Sequence, residues 1–119
     1  MPSEKPARRL EDIIENALAI ERYVAGLDLA AFEKDRKTYD AVERCLERIS
    51  EAAAKLGELA PALMPDQPWR KIGALGNRLR HEYDAIRAGR LWDIIQVDLP
   101  GLCAACKSAL QRLRDEQSP

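Results

Sequence analysis

Leu10, Ile13, Ile14, Ala17, Leu18 and Val24 recur three and four residues apart, the spacing that lines one side of an α-helix. Pro6 can open that helix, because its missing N–H is not needed in the first turn. Gly26 is a stop, and Asp28 can cap a short helix running through Phe32. The cleanest pattern follows: Tyr39, Val42, Leu46, Ile49, Ala53 and Leu56 form a bundle seam, predicted to end near Leu59 before a turn from Pro61 to Pro65. Asp66 and Pro68 mark the next start, with Trp69, Ile72, Leu75 and Leu79 on the apolar side. That helix is predicted to end between Asp84 and Ala88, with Gly89 as its stop signal. Leu91, Trp92, Ile94 and Ile95 predict a short helical segment. Asp98 and Pro100 then open the last helix, whose Leu102, Cys106, Ala109, Leu110 and Leu113 face inward. No segment alternates as a strand would. The expected fold is all-α, an up-and-down four-helix bundle with a short extra helical segment before the last helix. It forms a single domain over residues 1–119, with an ordered core from about 6 to 114. A bundle this small has a modest core and can leave part of an apolar face for a partner subunit.

Composition narrows the class. The chain is 46% hydrophobic and 33% charged, a globular balance rather than a disordered one. It contains no apolar run of about 18 residues, the length a membrane span needs. Its start, MPSEKPARRL, lacks an apolar stretch after the basic residues, so no signal peptide is expected and a cytoplasmic location is. The three cysteines are odd in number, which argues against a disulfide framework. Cys103 and Cys106 form a C-x-x-C, but a structural zinc site would need Cys45 and His81 as well. Small core residues are the expected reading, with no metal and no cofactor.

Charge is uneven along the chain. Residues 1–69 carry ten Lys/Arg and fourteen Asp/Glu, a net of −4. Residues 70–90 carry Arg70, Lys71, Arg78, Arg80, Arg87 and Arg90 against Glu82 and Asp84, a net of +4. Clustered cations attract phosphates, although a solvated helix face has the same composition. The only histidine, His81, lies in this segment. Helical spacing groups Asn77, Arg78 and His81 on one face. An imidazole can move a proton, and an amide and a guanidinium beside it can orient and neutralise a phosphate. The set suits metal-free RNA cleavage, in which a base takes the ribose 2′-OH proton and a cation stabilises charge building on phosphorus. A surface histidine among solvating arginines is the alternative. Trp69 and Trp92 read as packing anchors. Glu51, among alanines on the seam helix, reads equally as solvated or as the partner of an arginine across the bundle.

Several stretches taken in order carry a resemblance. They are Thr38-Tyr-Asp-Ala-Val-Glu-Arg, Ile49-Ser-Glu-Ala-Ala, Trp69-Arg-Lys-Ile, Asn77-Arg-Leu-Arg-His-Glu-Tyr and Leu91-Trp-Asp-Ile-Ile-Gln-Val-Asp-Leu-Pro-Gly-Leu. From about Arg8 to Leu113 the chain resembles the HepT-like branch of the HEPN superfamily. The resemblance implies a HEPN four-helix bundle and a homodimer in which two copies of the motif face one cleft. It implies metal-independent endoribonuclease activity, as the toxin of a toxin–antitoxin pair. The implied antitoxin is an MntA-like minimal nucleotidyltransferase that transfers AMP to the motif tyrosine (AMPylation). On this resemblance His81 is the motif histidine, Tyr83 the modified tyrosine and Asn77 the polar residue after the motif arginine. Arg70, Lys71, Arg80 and Arg87 are then candidate RNA contacts.

The pattern departs at one place. The family's arginine falls at Gly76, which has no side chain and costs about 1 kcal/mol relative to alanine within a helix. Three readings remain: an attenuated member kept for binding, a change tolerated because it permits expression of a toxic protein, or replacement by another arginine. For the last, Arg78 faces the same way as His81, Arg80 points about 100° round the helix, and Arg70 is about 16 Å away along the axis. The expectation is weak or absent cleavage, restored by Gly76→Arg. A non-catalytic interaction module that binds a nucleotidyltransferase or RNA is the rival function.

Overall fold

The computed structural model describes residues 5–81 and 87–117, and all regular structure among them is helical. Helix α1 (Pro6–Val24) begins with proline in its first turn and ends at Gly26, whose φ of +78° a side chain would disfavour. Helix α2 (Leu29–Lys34) is capped by Asp28, whose carboxylate accepts the Ala31 N–H at 2.8 Å. Asp35 closes α2 and caps α3 (Arg36–Leu56). One carboxylate oxygen accepts the Thr38 N–H at 3.1 Å and the other accepts the Thr38 hydroxyl at 2.7 Å. Those two hydrogen bonds, the hydroxyl's first, hold the Asp35 carboxyl below its ordinary value.

Two expected boundaries differ. The turn anticipated from Pro61 to Pro65 contains a short helix, α4 (Leu59–Leu63). Pro61 fits there because it lies in the first turn, where no N–H has an intrahelical acceptor. The last helix opens between Asp98 and Pro100 as anticipated, but no break separates it from the segment before it. Helix α6 (Ala88–Asp93) runs through a π-helical turn (Ile94–Asp98) into α7 (Leu99–Gln117). Asp93, Ile94 and Leu99 all keep right-handed helical dihedrals, and the Leu99 N–H donates to the Ile94 carbonyl five residues back. A proline ring in a regular α-helix collides with the carbonyl four residues earlier, and the wider turn just before Pro100 gives it room. The anticipated end of the third long helix, Asp84 to Ala88, falls largely outside the described residues. The helix itself, α5, runs from Trp69 to His81.

Helix α1 lies between α3 and α7, while α5 packs on α3. Leu10, Ile13, Ile20, Val42, Leu56, Leu91 and Cys106 are fully buried between them. Phe32 of α2 is also fully buried, its ring 5.8 Å from Tyr39 of α3 and 5.4 Å from Trp92 of α6. That cluster ties the short helices to the long ones, and Trp92 is the packing anchor its sequence neighbours implied. Cys45 and Cys106 are core residues. Burial raises both thiols, Cys106 to about 12, and raises half-buried Cys103 as well. Such thiols stay protonated near neutral pH and pack as small apolar groups. Among the described residues, no helix is long and apolar enough to cross a membrane.

Phe32→Ala should destabilise the fold by about 3–5 kcal/mol in urea unfolding, because the vacated space is ringed by two other aromatics. Asp35→Ala should melt below the wild type at neutral pH. A lowered carboxyl stabilises the native state above its unfolded-state value, near 3.8, and that stability is lost as pH falls through the native value. Melting curves of the two proteins should therefore converge in acid, and a gap that stays constant with pH would contradict the assignment.

Candidate functional site

Two faces of α5 have different duties. Leu75 is buried, and Ile72 and Leu79 pack partly buried beside it. A second line, Trp69, Gly73, Gly76 and Arg80, is spaced four, three and four residues apart and so runs along one side of the helix. It meets a line of small residues on α3: Ser50, Ala53, Ala54 and Gly57. With Trp69, Gly73 and Arg80, these residues border an open groove of about 340 Å³ that Asn77 also lines.

Gly76 is buried against Ser50, which lines the groove. A Cβ there would overlap the Ser50 hydroxyl and stand 2.7 Å from the Ser50 Cβ. Rotating the hydroxyl away does not cure the second contact, and Ser50 is only 3% exposed. The glycine that costs helix stability thus has a tertiary role, since the missing side chain is what allows α5 to lie against α3. An arginine at 76 requires Ser50 or the spacing of the two helices to shift, so Gly76→Arg would have to change this packing before it could restore cleavage.

His81 is the last residue of α5 and is exposed. Asn77, one turn earlier, is exposed on the same side. The Asn77 side-chain oxygen accepts a hydrogen bond from the Arg80 guanidinium at 3.1 Å. The other terminal nitrogen of that guanidinium lies over Gly76, 3.1 Å from where a Cβ would be. Arg80 therefore turns into the groove, as its angular offset from His81 predicts. Arg78 is half-buried and projects about 200° round the helix from Gly76, away from the groove, while remaining within about 60° of His81.

The other candidates are dispersed. Arg70 is exposed near the start of α5. Lys71 is exposed but ion-paired with Asp98 of the π-helical turn. Arg87 is exposed just before α6. Tyr83 lies outside the described residues. Glu51 resolves to the solvated alternative, exposed and 3.6 Å from Lys55 on its own helix. The indole N–H of Trp69 donates to the Met64 carbonyl at 2.8 Å, which fixes the ring as an anchor while it also walls the groove. Ser50 is the residue that sequence reading missed. Its signal was available, as a small-residue line on the seam helix matched by glycines at Gly73 and Gly76.

The class of protein is a helical bundle that carries its histidine on a basic, half-supported helix. The model of the family described as ribonuclease HepT-like matches residues 13–109, and the chain belongs to that family, within the HEPN superfamily. It is 33% identical over 105 residues to a Thermococcus cleftensis protein named as a probable ribonuclease HepT, covering 88% of this chain and 92% of the relative. It is 35% identical over 100 residues to a Methanocaldococcus jannaschii protein named as an RNase, covering 84% and 83%. A Caldanaerobacter subterraneus protein, also named as an RNase, is 29% identical over 107 residues, covering 90% and 96%. No solved structure matches the chain.

Gly76→Ala should destabilise the protein by about 1–3 kcal/mol, the usual range for a group forced into filled space. Adding Ser50→Gly should recover part of that loss, so the double variant should be more stable than the sum of the single effects. Strict additivity in chemical denaturation would mean that the two positions do not touch.

Proposed function

We propose that this chain is a metal-independent endoribonuclease of the HepT type, acting as the toxin subunit of a HEPN/MNT toxin–antitoxin pair, with cleavage weakened by the absence of a side chain at position 76. The observation that carries the reading is His81. It is exposed at the end of a basic helix, one turn after Asn77, in a chain whose family and relatives are named as ribonucleases. His81 takes the proton of a ribose 2′-OH, and the oxygen attacks the adjacent phosphorus. The bond to the 5′-oxygen breaks, leaving a 2′,3′-cyclic phosphate on one product, and a proton passes to the departing oxygen. Asn77 orients the phosphate, and Arg78, within reach of the same face, adds positive charge. Arg70 and Arg87 extend the basic surface for the RNA strand, and Lys71 contributes less because Asp98 neutralises it.

A homodimer fits this scheme because α5 packs chiefly on α3 and leaves its outer side, where Ala74 is exposed, open to a second copy. The regulatory partner is an MntA-like nucleotidyltransferase. It joins AMP from ATP to the Tyr83 hydroxyl and releases pyrophosphate. The modification places a phosphate and a base two residues from His81, where both repel or block RNA. A second reading, an interaction module that binds RNA or the nucleotidyltransferase without cutting, draws support from the closed space at Gly76.

Purified protein incubated with single-stranded RNA in excess EDTA should give slow cleavage, and His81→Ala should remove at least 100-fold of it, the order general acid–base catalysis supplies. Growth arrest on expression, relieved by the neighbouring nucleotidyltransferase, would accompany that activity. Full-length RNA from the wild type together with unimpaired growth would reject the toxin reading in favour of the binding module.

A further inference from the structure

The groove between α3 and α5 differs chemically from the rest of the surface. Ser50, Ala53, Ala54 and Gly57 give it a floor without long side chains. Its lining includes no carboxylate, and its single charge is the Arg80 guanidinium. Among the described residues, no carboxylate is ion-paired with Arg80, which donates to the neutral Asn77 oxygen. Trp69 stands at the other end, eleven positions back along the helix, a distance of about 16 Å. That length suits two or three nucleotides of an extended single strand, and 340 Å³ lies within the range of specific ligand clefts. An aromatic ring at one end of a groove and a fixed guanidinium at the other are the two elements that hold single-stranded nucleic acid without sequence preference.

We propose that this groove is a single-strand RNA-binding subsite, with Arg80 as its phosphate anchor and Trp69 as its base-stacking wall. The proposal rests on the ribonuclease reading and adds the path of the strand to it. Gly76 is part of the device. A Cβ at 76 would press on the Arg80 guanidinium at 3.1 Å, so the glycine leaves that side chain room to lie beside Ser50 at the groove. Asn77 links the two regions. It holds Arg80 on one side and lies one turn from His81 on the other. The chain is then a better binder of RNA than a cutter of it.

The test uses the full chain and a fluorescent single-stranded RNA of about twelve nucleotides with 2′-O-methyl sugars, which cannot be cut, so that binding is read apart from cleavage. Anisotropy titrations across a salt series should show Arg80→Ala binding roughly tenfold more weakly, with the salt slope reduced by about one. Arg80→Lys should keep the slope but lose part of the affinity, because a point charge lacks the planar fork. Ala54→Glu, an exposed helix-compatible change, should block the groove with a negative charge and also weaken binding. Arg36→Ala, on the far end of α3, should bind as the wild type does. Wild-type affinity in both Arg80→Ala and Ala54→Glu would overturn the subsite, while cleavage still dependent on His81 would leave the ribonuclease reading standing. A wild type that neither binds nor cuts RNA would remove both. If sedimentation shows that Arg80→Ala or Ala54→Glu dissociates a dimer and RNA binding falls only with it, the groove is an interface between copies and the proposal fails.

Discussion

The site depends on how closely α5 can approach α3. At Ser50 and Gly76 the two helices meet with no side chain on one of them, and the Ser50 Cβ already occupies the space a Cβ at 76 would need. Helix α5 has α3 as its main support, so that contact sets the tilt and height of everything further along it. Arg80, Asn77 and His81 follow within the next turn and a half. Small residues on both helices make this approach possible but leave little apolar area to hold it. Leu75, with Ile72 and Leu79 half-buried beside it, supplies most of the adhesion.

The rest of the bundle is built to make that platform rigid. Helix α1 is held between α3 and α7, and the long C-terminal run passes through its π-helical turn without breaking. Phe32, Tyr39 and Trp92 lock the short helices across the start of α3. Lys71 belongs to this framework as much as to any ligand surface, because its pairing with Asp98 ties α5 to the π-helical turn. Charge that looks uniform in the sequence is thus divided. Lys71 is tied to Asp98, Arg80 is turned into a groove, and Arg70 and Arg87 face outward.

Family membership and local geometry bear on different questions. The match over residues 13–109 and the similarity to relatives named as ribonucleases fix the ancestry of the chain. They do not fix what a glycine does at a position where a functional arginine is expected. The packing supplies that answer by giving the glycine a neighbour. An altered motif position then reads as one half of a fitted pair, whose other half is a serine on a different helix.

Much of the fold was legible because helical periodicity is a local property. The seam from Tyr39 to Leu56, the start at Pro6, the stop at Gly26 and the cap at Asp28 each follow from a few neighbouring residues, and the structure places them as read except Ala53, which lines the groove, and the end of the seam helix, which falls at Leu56 instead of near Leu59. The helix from Leu59 to Leu63 and the unbroken passage through Pro100 were not legible, since both turn on whether the surrounding backbone accommodates a proline. At the site, the basic segment, the histidine and its spacing to Asn77 were sequence facts. The burial of Gly76, the ion pair that occupies Lys71, the solvated pairing of Glu51 and the direction of Arg80 were decided by which helix lies beside which. Spacing along a helix tells which residues share a face, but only the neighbouring helix determines whether that face is filled, paired or open, because packing is a contact between residues far apart in the chain.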